Sequence, residues 1–111
     1  MEGITIQELK FYFDENGNFN IDCAANWYWD LLFPEASLVG VTEFLQAGEP
    51  NSTLYLISFD AKLELSFAHG FLSVASLSSA NITKAVRNFT LEETKDFINW
   101  FLAEYKTRFR G

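Results

Sequence analysis

The chain has very few of the side chains that usually carry catalysis or bind metals. Its 111 residues include one histidine, His69, and one cysteine, Cys23. A zinc site needs about four ligands of this kind, and a histidine that acts as a general base needs a partner. The sequence also lacks Gly-x-Ser-x-Gly, a phosphate-binding loop and a dinucleotide fingerprint. We therefore predict that the protein is not an enzyme and needs no cofactor or metal, with paired carboxylates as the remaining catalytic alternative.

The lack of a second cysteine excludes a disulfide within these residues and favours a reducing compartment. Residues 1–3 lead straight into a strand-like pattern, without the basic and apolar regions of a signal peptide. No apolar run reaches the roughly 20 residues of a membrane-spanning helix. We therefore expect a cytoplasmic protein that does not enter a membrane.

Basic residues are scarce in the first three quarters of the chain. Residues 1–83 contain Lys10 and Lys62 against eleven carboxylates, whereas residues 84–111 contain six basic and four acidic residues, for a net charge of −7. The acidic part should repel nucleic acid and anionic lipid and attract a basic protein. Solubility of an apolar domain is an alternative and sufficient reason for the same charge.

Aromatic residues, in contrast, are abundant. The chain contains 12 Phe, 4 Tyr and 3 Trp, and 49% of its residues are hydrophobic. Each buried aromatic side chain removes about 150–250 Å² of surface from water. A chain of this length can therefore build a core without disulfides or metals, and we predict a single globular domain over residues 1–111.

Alternating apolar residues near the N-terminus predict a β-hairpin. The apolar positions of its two strands are Leu9, Phe11, Phe13, Phe19, Ile21 and Cys23. A three-residue loop at 16–18 would place Phe13 opposite Ile21 and keep the apolar faces together, with Gly17 or Asn18 in the left-handed conformation. Cys23 then lies on the core side of the hairpin.

The loop of this hairpin resembles the first half of an EF-hand calcium loop. Asp14, Asn16 and Asn18 occupy the first three ligand positions. The resemblance ends at Phe19, which replaces the glycine of the sharp turn, and at Ala25, which replaces the bidentate glutamate. We therefore predict a hairpin loop and no metal site.

The middle of the chain predicts one short helix and a series of strands. Asn26 can cap a helix that Pro34 stops, and the residues between them are apolar on all sides, which is typical of a buried helix. The first strand of the hairpin is predicted to span 4–14, and further strands are predicted at 37–47, 53–59, 62–67 and 71–77. His69 and Gly70 are predicted to form a turn. Residues 78–89 fit either a short helix or a strand.

The last element is a long helix. Thr90 and Glu93 form a Thr-x-x-Glu capping box. The predicted apolar stripe contains Leu91, Ile98, Phe101, Leu102, Tyr105 and Phe109. The fold class is therefore α+β: a sheet of about six mainly antiparallel strands, a short helix after the first hairpin, and the C-terminal helix packed on one face.

Two groups of residues fall outside these stripes and are candidate partner-binding sites. The first consists of Trp100 and Phe97 with the carboxylates Glu93, Asp96 and Glu104. A tryptophan ringed by carboxylates is typical of an interface hot spot that faces a basic partner. Packing of Trp100 against the N-terminal hairpin or the 78–89 segment is the alternative.

The second group is the run Trp27, Tyr28, Trp29 and Asp30. Three adjacent aromatic side chains cannot all face the same way on a helix or a strand. Consequently one of the three should be exposed or line a pocket, and Trp27, Trp29 and Asp30 are the candidate partner-binding residues of this run.

We predict from these features a non-enzymatic, acidic protein-binding module. Its most concrete form is an inhibitor or a toxin-neutralising immunity-type protein that blocks a basic protein partner sterically and electrostatically. The alternative is a small protein that binds an apolar ligand in an aromatic-lined pocket. Nucleic acid and membranes are not expected partners, and a homodimer formed through an exposed edge strand is left open.

Overall fold

The structure, a computed structural model, describes residues 3–59 and 61–109 and has an α+β fold. Sheet A contains β1 (Gly3–Ile6), β2 (Leu9–Phe13), β3 (Phe19–Asp22) and β4 (Leu31–Phe33). Sheet B contains β5 (Thr53–Ile57), β6 (Lys62–Ala68), β7 (Phe71–Leu77) and β8 (Thr83–Asn88). The α-helices are α1 (Val41–Ala47) and α2 (Leu91–Phe109). The predicted class is confirmed, but the single sheet of about six strands is wrong, because eight strands form two antiparallel four-stranded sheets.

The predicted strand 4–14 is divided into β1 and β2. Gln7 and Glu8 have positive φ angles of 50° and 71°, a backbone conformation that does not continue a strand. The chain therefore reverses at these two residues, and β1 pairs with β2.

The hairpin of β2 and β3 keeps the predicted faces in a different register. Phe13 lies opposite Phe19 instead of Ile21, because the loop spans residues 14–18. A shift of two residues leaves every side chain on its original face. The predicted core face is therefore confirmed, including the burial of Cys23.

The short helix predicted between Asn26 and Pro34 is wrong. One 3₁₀ turn, Trp27–Trp29, is followed by the strand β4, which pairs with β3. The side chain of Asn26 does cap this turn, since its Oδ1 accepts a hydrogen bond from the Tyr28 N–H at 2.9 Å.

The strand predicted at 37–47 is also wrong. A 3₁₀ helix at Glu35–Leu38 and then α1 occupy this part of the chain. Gly40 and Gly48 flank α1 with φ angles of 85° and 55°. Glycine adopts this left-handed conformation without steric cost, so the two glycines set where the helix begins and ends.

Sheet B agrees closely with the sequence pattern. The predicted strands at 53–59, 62–67 and 71–77 are confirmed as β5, β6 and β7. His69 and Gly70, with φ angles of 56° and 87°, form the predicted turn between β6 and β7. The ambiguous segment 78–89 contains β8, which pairs with β7.

The two sheets and both helices share one hydrophobic core. Helix α2 begins with the predicted capping box: the Glu93 N–H donates to Thr90 Oγ1, and the Thr90 N–H donates to Glu93 Oε1. Within α2, Thr94 also ties the helix to sheet B, because its Oγ1 accepts a hydrogen bond from the Leu72 N–H at 3.0 Å. Among the described residues, no helix is long and apolar enough to cross a membrane.

Candidate protein-binding surfaces

The buried stripe of α2 differs from the predicted one. Thr94, Phe97 and Phe101 are its buried residues, whereas Leu91 is exposed. The centre of the stripe is therefore rotated from Ile98 toward Phe97. Phe97 is 1% exposed and its ring lies 5.0 Å from that of Phe11, so the prediction that it belongs to a surface is wrong.

Trp100 packs against the N-terminal hairpin, which is the alternative left open by the sequence. Its ring is stacked on Phe13 at 5.8 Å and 26°. It also lies 6.4 Å from Phe19. The Trp100 side chain is partly buried and belongs to the aromatic layer between α2 and sheet A.

The three carboxylates predicted around Trp100 have different surroundings. Glu93 closes the capping box and also accepts a hydrogen bond from Gln7 Nε2 at 2.9 Å. These interactions, first from the Thr90 backbone and then from Gln7, lower the pKa of Glu93. Glu104 forms a 3.4 Å ion pair with Arg108. Asp96 is exposed, so the structure does not assemble this group into one open hot spot.

The second candidate group does present an exposed aromatic residue. Trp27 is 69% exposed, whereas Trp29 is fully buried in the core. The Lys84 ammonium lies 5.5 Å from the Trp27 ring and 5.4 Å from the Tyr28 ring. Asp30 is exposed and lines the same shallow groove as these three residues. The structure therefore brings Trp27 and Asp30 together at the surface and removes Trp29 from it.

Sequence reasoning missed a further surface, the outer face of sheet A. Tyr12, Asn20 and Leu32 lie side by side across β2, β3 and β4. We name as the acidic face Tyr12, Leu32 and the carboxylates Asp14, Asp22 and Asp30. The pKa of Tyr12 is raised by partial burial, then by a hydrogen bond to Asp22 and by the negative charges of Asp22, Asp14 and Asp30.

The acidic face has a net negative charge and one exposed apolar side chain. Leu32 is 46% exposed. Lys10 provides a positive charge, and its ammonium lies 5.6 Å from the Tyr12 ring. The three carboxylates outnumber it, and Asp30 connects the face to Trp27. Alternation in β2 and β3 would have identified Tyr12 and Asp22 as outward residues, but their position beside Asp30 depends on the pairing of β4.

The Asp14 carboxylate is held in place by hydrogen bonds from the loop 14–18 and the start of β3. Its carboxylate accepts hydrogen bonds from the N–H groups of Asn16 and Asn18 and from the side-chain amides of Asn18 and Asn20, at 2.9–3.2 Å. Partial burial opposes ionisation, but the hydrogen bonds outweigh it and lower the pKa of Asp14. The carboxylate thus holds the loop, with Gly17 in the left-handed conformation (φ 81°) that the sequence indicated.

The groups considered for catalysis or metal binding lie apart. His69 is exposed in its turn, and Cys23 is a buried free thiol. Within residues 3–59 and 61–109, no three His, Cys, Asp or Glu side chains are grouped so that they could hold a metal ion. A concavity of about 470 Å³ is an open groove lined by residues that include Glu35, Glu43, Tyr105 and Phe109.

Comparison of the chain with models of protein families, with curated proteins and with solved structures gave no match.

Proposed function

We propose that this protein is a non-enzymatic binding module that acts in the cytoplasm and blocks a basic protein partner with the acidic face. The observation that carries the proposal is the position of Asp22 on the same sheet face as Tyr12, with the charges of Asp22, Asp14 and Asp30 all raising the pKa of Tyr12. Their combined negative potential would accelerate the approach of a positively charged protein. An inhibitor or an immunity-type protein is the class that uses such a surface.

The residue types of this surface suit a protein interface. Tyrosine and tryptophan provide large contact area at low conformational cost and are enriched in hot spots. Tyr12 is close enough to the three carboxylates for their charges to raise its pKa, and the exposed Trp27 lies in the same groove as Asp30. Leu32 adds apolar area next to them. A basic side chain of the partner would pair with a carboxylate while its aliphatic part packs on an aromatic ring.

The alternative function, binding of a small apolar ligand, has less support. Such ligands usually occupy enclosed, mainly apolar cavities of about 300–1,000 Å³. The groove of about 470 Å³ next to α1 is open to solvent, and two carboxylates, Glu35 and Glu43, are among the residues that line it. It therefore provides the volume but not the enclosure.

The test compares two variants of equal charge. Asp22→Asn/Asp30→Asn removes two charges from the acidic face, and Glu49→Gln/Glu92→Gln removes two exposed charges elsewhere. Immobilised wild-type protein and both variants are exposed to a lysate of the native host, and the retained proteins are identified at low and high salt. We expect the wild type and the control to retain the same basic protein, in a salt-sensitive manner, and the acidic-face variant to lose it.

The binding rate of the retained protein is then measured against ionic strength. Loss of the partner in both variants would mean that net charge and not the acidic face drives binding. Retention in both variants would contradict the proposed surface. An absence of any basic partner at low salt would contradict the proposed function itself.

A further inference from the structure

The outer face of sheet B has a different chemistry from the acidic face. Two neighbouring rows of side chains cross its four strands. The first row contains Ile57, Lys62, Leu77 and Thr83, and the second contains Tyr55, Glu64, Ala75 and Val86. Ala75 and Leu77 are nearly inaccessible to solvent yet lie outside the shared core. These two rows therefore combine apolar residues with one positive and one negative charge, whereas the next row on the same face is polar and contains Thr53, Ser66, Ser73 and Asn88.

Large apolar side chains are exposed on this face and at its borders. Their exposed fractions are 46% for Tyr55, 59% for Ile57, 105% for Phe59, 65% for Ile82, 42% for Val86 and 46% for Phe71. At these fractions each exposes on the order of 100 Å². Phe71 lies beyond Ser73 on β7 and outside the two rows, so the other five contribute more than half of the roughly 800 Å² per partner that a stable specific interface buries. Exposed apolar patches of this extent mark interaction sites.

The edges of sheet B are less available than its face. Ser37, in the 3₁₀ helix before α1, donates a hydrogen bond from its Oγ to the carbonyl of Ile57 at 2.6 Å, at the edge formed by β5. The turn Trp27–Trp29 lies against the other edge, where Lys84 of β8 contacts the rings of Trp27 and Tyr28. A partner would therefore meet the face of the sheet and not a free strand.

We propose that this face binds a second copy of the chain and forms a two-fold symmetric dimer. The two-fold axis lies in the plane between the two copies and runs across the strands at the level of Leu63, between the two rows. It places the first row of each copy over the second row of the other copy. Lys62 then lies over Glu64, and the same pair forms again on the other side of the axis, as an isologous interface requires. The exposed apolar residues Ile57 and Tyr55 meet in the same way.

Charge favours a second copy over other partners of this face. The acidic face carries most of the negative charge of its sheet, so contact between two copies through sheet A would be repulsive. On sheet B, the charges of Lys62 and Glu64 cancel within one copy. In the proposed dimer, Lys62 of each copy pairs with Glu64 of the other copy. Tyr55 supports this arrangement, because its hydroxyl donates to the Glu64 carboxylate at 3.0 Å and its ring lies 5.0 Å from the Lys62 ammonium.

The experiment uses charge reversal. Lys62→Glu and Glu64→Lys, made separately, each place like charges together twice in the dimer, and we expect each to weaken self-association by about tenfold or more. Because the two variants carry opposite charges on this face, an equimolar mixture of them should form a heterodimer. The double variant Lys62→Glu/Glu64→Lys should recover the homodimer. Sedimentation velocity and light scattering measure the mass against a monomer of 12.7 kDa, and circular dichroism checks folding.

Two further variants test the apolar part of the face. Ile57→Asp should abolish the dimer, whereas Leu91→Asp, at an exposed residue at the start of α2 and outside both rows, should not. The proposal would be overturned if the wild-type protein stays at 12.7 kDa at concentrations up to about 200 µM, because an interface of this size should form at lower concentrations. A mixture of the two charge variants that stays monomeric while the wild type dimerises would overturn the two-fold geometry.

Discussion

Sheet A and sheet B are both antiparallel sheets in which each strand pairs with its neighbour in sequence. Their inner faces nevertheless differ. Sheet A contributes Phe11, Phe13, Phe19 and Phe33 to the core, whereas sheet B contributes mainly Leu56, Leu63, Leu65, Leu72 and Val74. Helix α2 places its own aromatic residues against the aromatic sheet: Phe101 lies 5.7 Å from both Phe13 and Phe19. One topology therefore accommodates two kinds of core packing.

Their outer faces differ in the opposite sense. Sheet A, aromatic inside, presents carboxylates around Tyr12 to the solvent, and sheet B, aliphatic inside, presents apolar residues such as Ile57 and Val86. The strand pattern requires only that one face be buried. The chemistry of the other face is therefore available for function, and the contrast supports two separate contact surfaces on one small domain.

The largest expected effect comes from the aromatic layer under α2. Phe97→Ala should lower the free energy of unfolding by about 3–5 kcal/mol, because it removes a buried ring and leaves a cavity. Leu91→Ala, at an exposed position of the same helix, is the matched control and should cost less than about 1 kcal/mol. Urea unfolding measures both values.

The same experiment tests whether the two sheets depend on each other. Because they share one core, tryptophan fluorescence, to which the buried Trp29 and the partly buried Trp100 contribute, should change together with far-UV circular dichroism. Two separated transitions would show that the sheets unfold independently.

The second effect compares the hairpin loops of the two sheets. Asp14→Ala removes the acceptor of four hydrogen bonds in the loop of sheet A and should cost about 1–3 kcal/mol, since their donors lose a partner. Gly70→Ala in the turn of sheet B should cost about 1–2 kcal/mol, because φ is +87° there and a side chain disfavours that conformation. Thermal unfolding compares the two. A loss in Asp14→Ala below that of a surface substitution would mean that the carboxylate is dispensable.

Much of this fold was predictable from local pattern. The strands of sheet B alternate clearly, and Thr90 with Glu93 marked the start of α2; both features depend on residues close in sequence. The 37–47 segment was not predictable in the same way. Its Val, Phe and Leu residues suit a strand or a helix, and Gly40 and Gly48 decide for the helix through their left-handed backbone.

The candidate surfaces were predictable only in part. The sequence indicated that one of the three adjacent aromatic residues at 27–29 would be exposed or line a pocket, and in the structure Trp27 is exposed. The sequence did not reveal that Asp30 lies near Tyr12, because this proximity results from the position of β4 in sheet A. The predicted partner, the predicted absence of enzymatic activity and the cytoplasmic location stay predictions.

The third effect is the response of stability to acid. The pKa of Asp14 is lowered from 3.8 and that of Glu93 from 4.5, because both carboxylates accept hydrogen bonds in the folded state. Each therefore contributes stability above its unfolded pKa and loses it as the pH falls through the lower folded value. The temperature of thermal unfolding should therefore fall below about pH 4.5. Asp14→Asn should make this fall less steep. Glu49→Gln, at an exposed loop residue, is the control and should leave the profile unchanged.

The smallest effect distinguishes the two outer faces directly. The pKa of Tyr12 is raised from 10.0 by burial and by Asp22, Asp14 and Asp30, whereas that of Tyr55 is raised by its hydrogen bond to Glu64. Asp22→Asn/Asp30→Asn should therefore move the pKa of Tyr12 back toward 10.0 and leave Tyr55 unchanged, because removing a nearby negative charge favours the phenolate.

NMR titration of ¹³C-labelled tyrosine measures both groups in one sample. Glu64→Gln is the reciprocal variant and should lower the pKa of Tyr55 alone. If neutralising Asp22 and Asp30 leaves the Tyr12 titration unchanged, their charges do not converge on that ring. The acidic face would then lose the electrostatic basis on which the proposed binding of a basic protein rests, while the apolar face of sheet B would keep its own test.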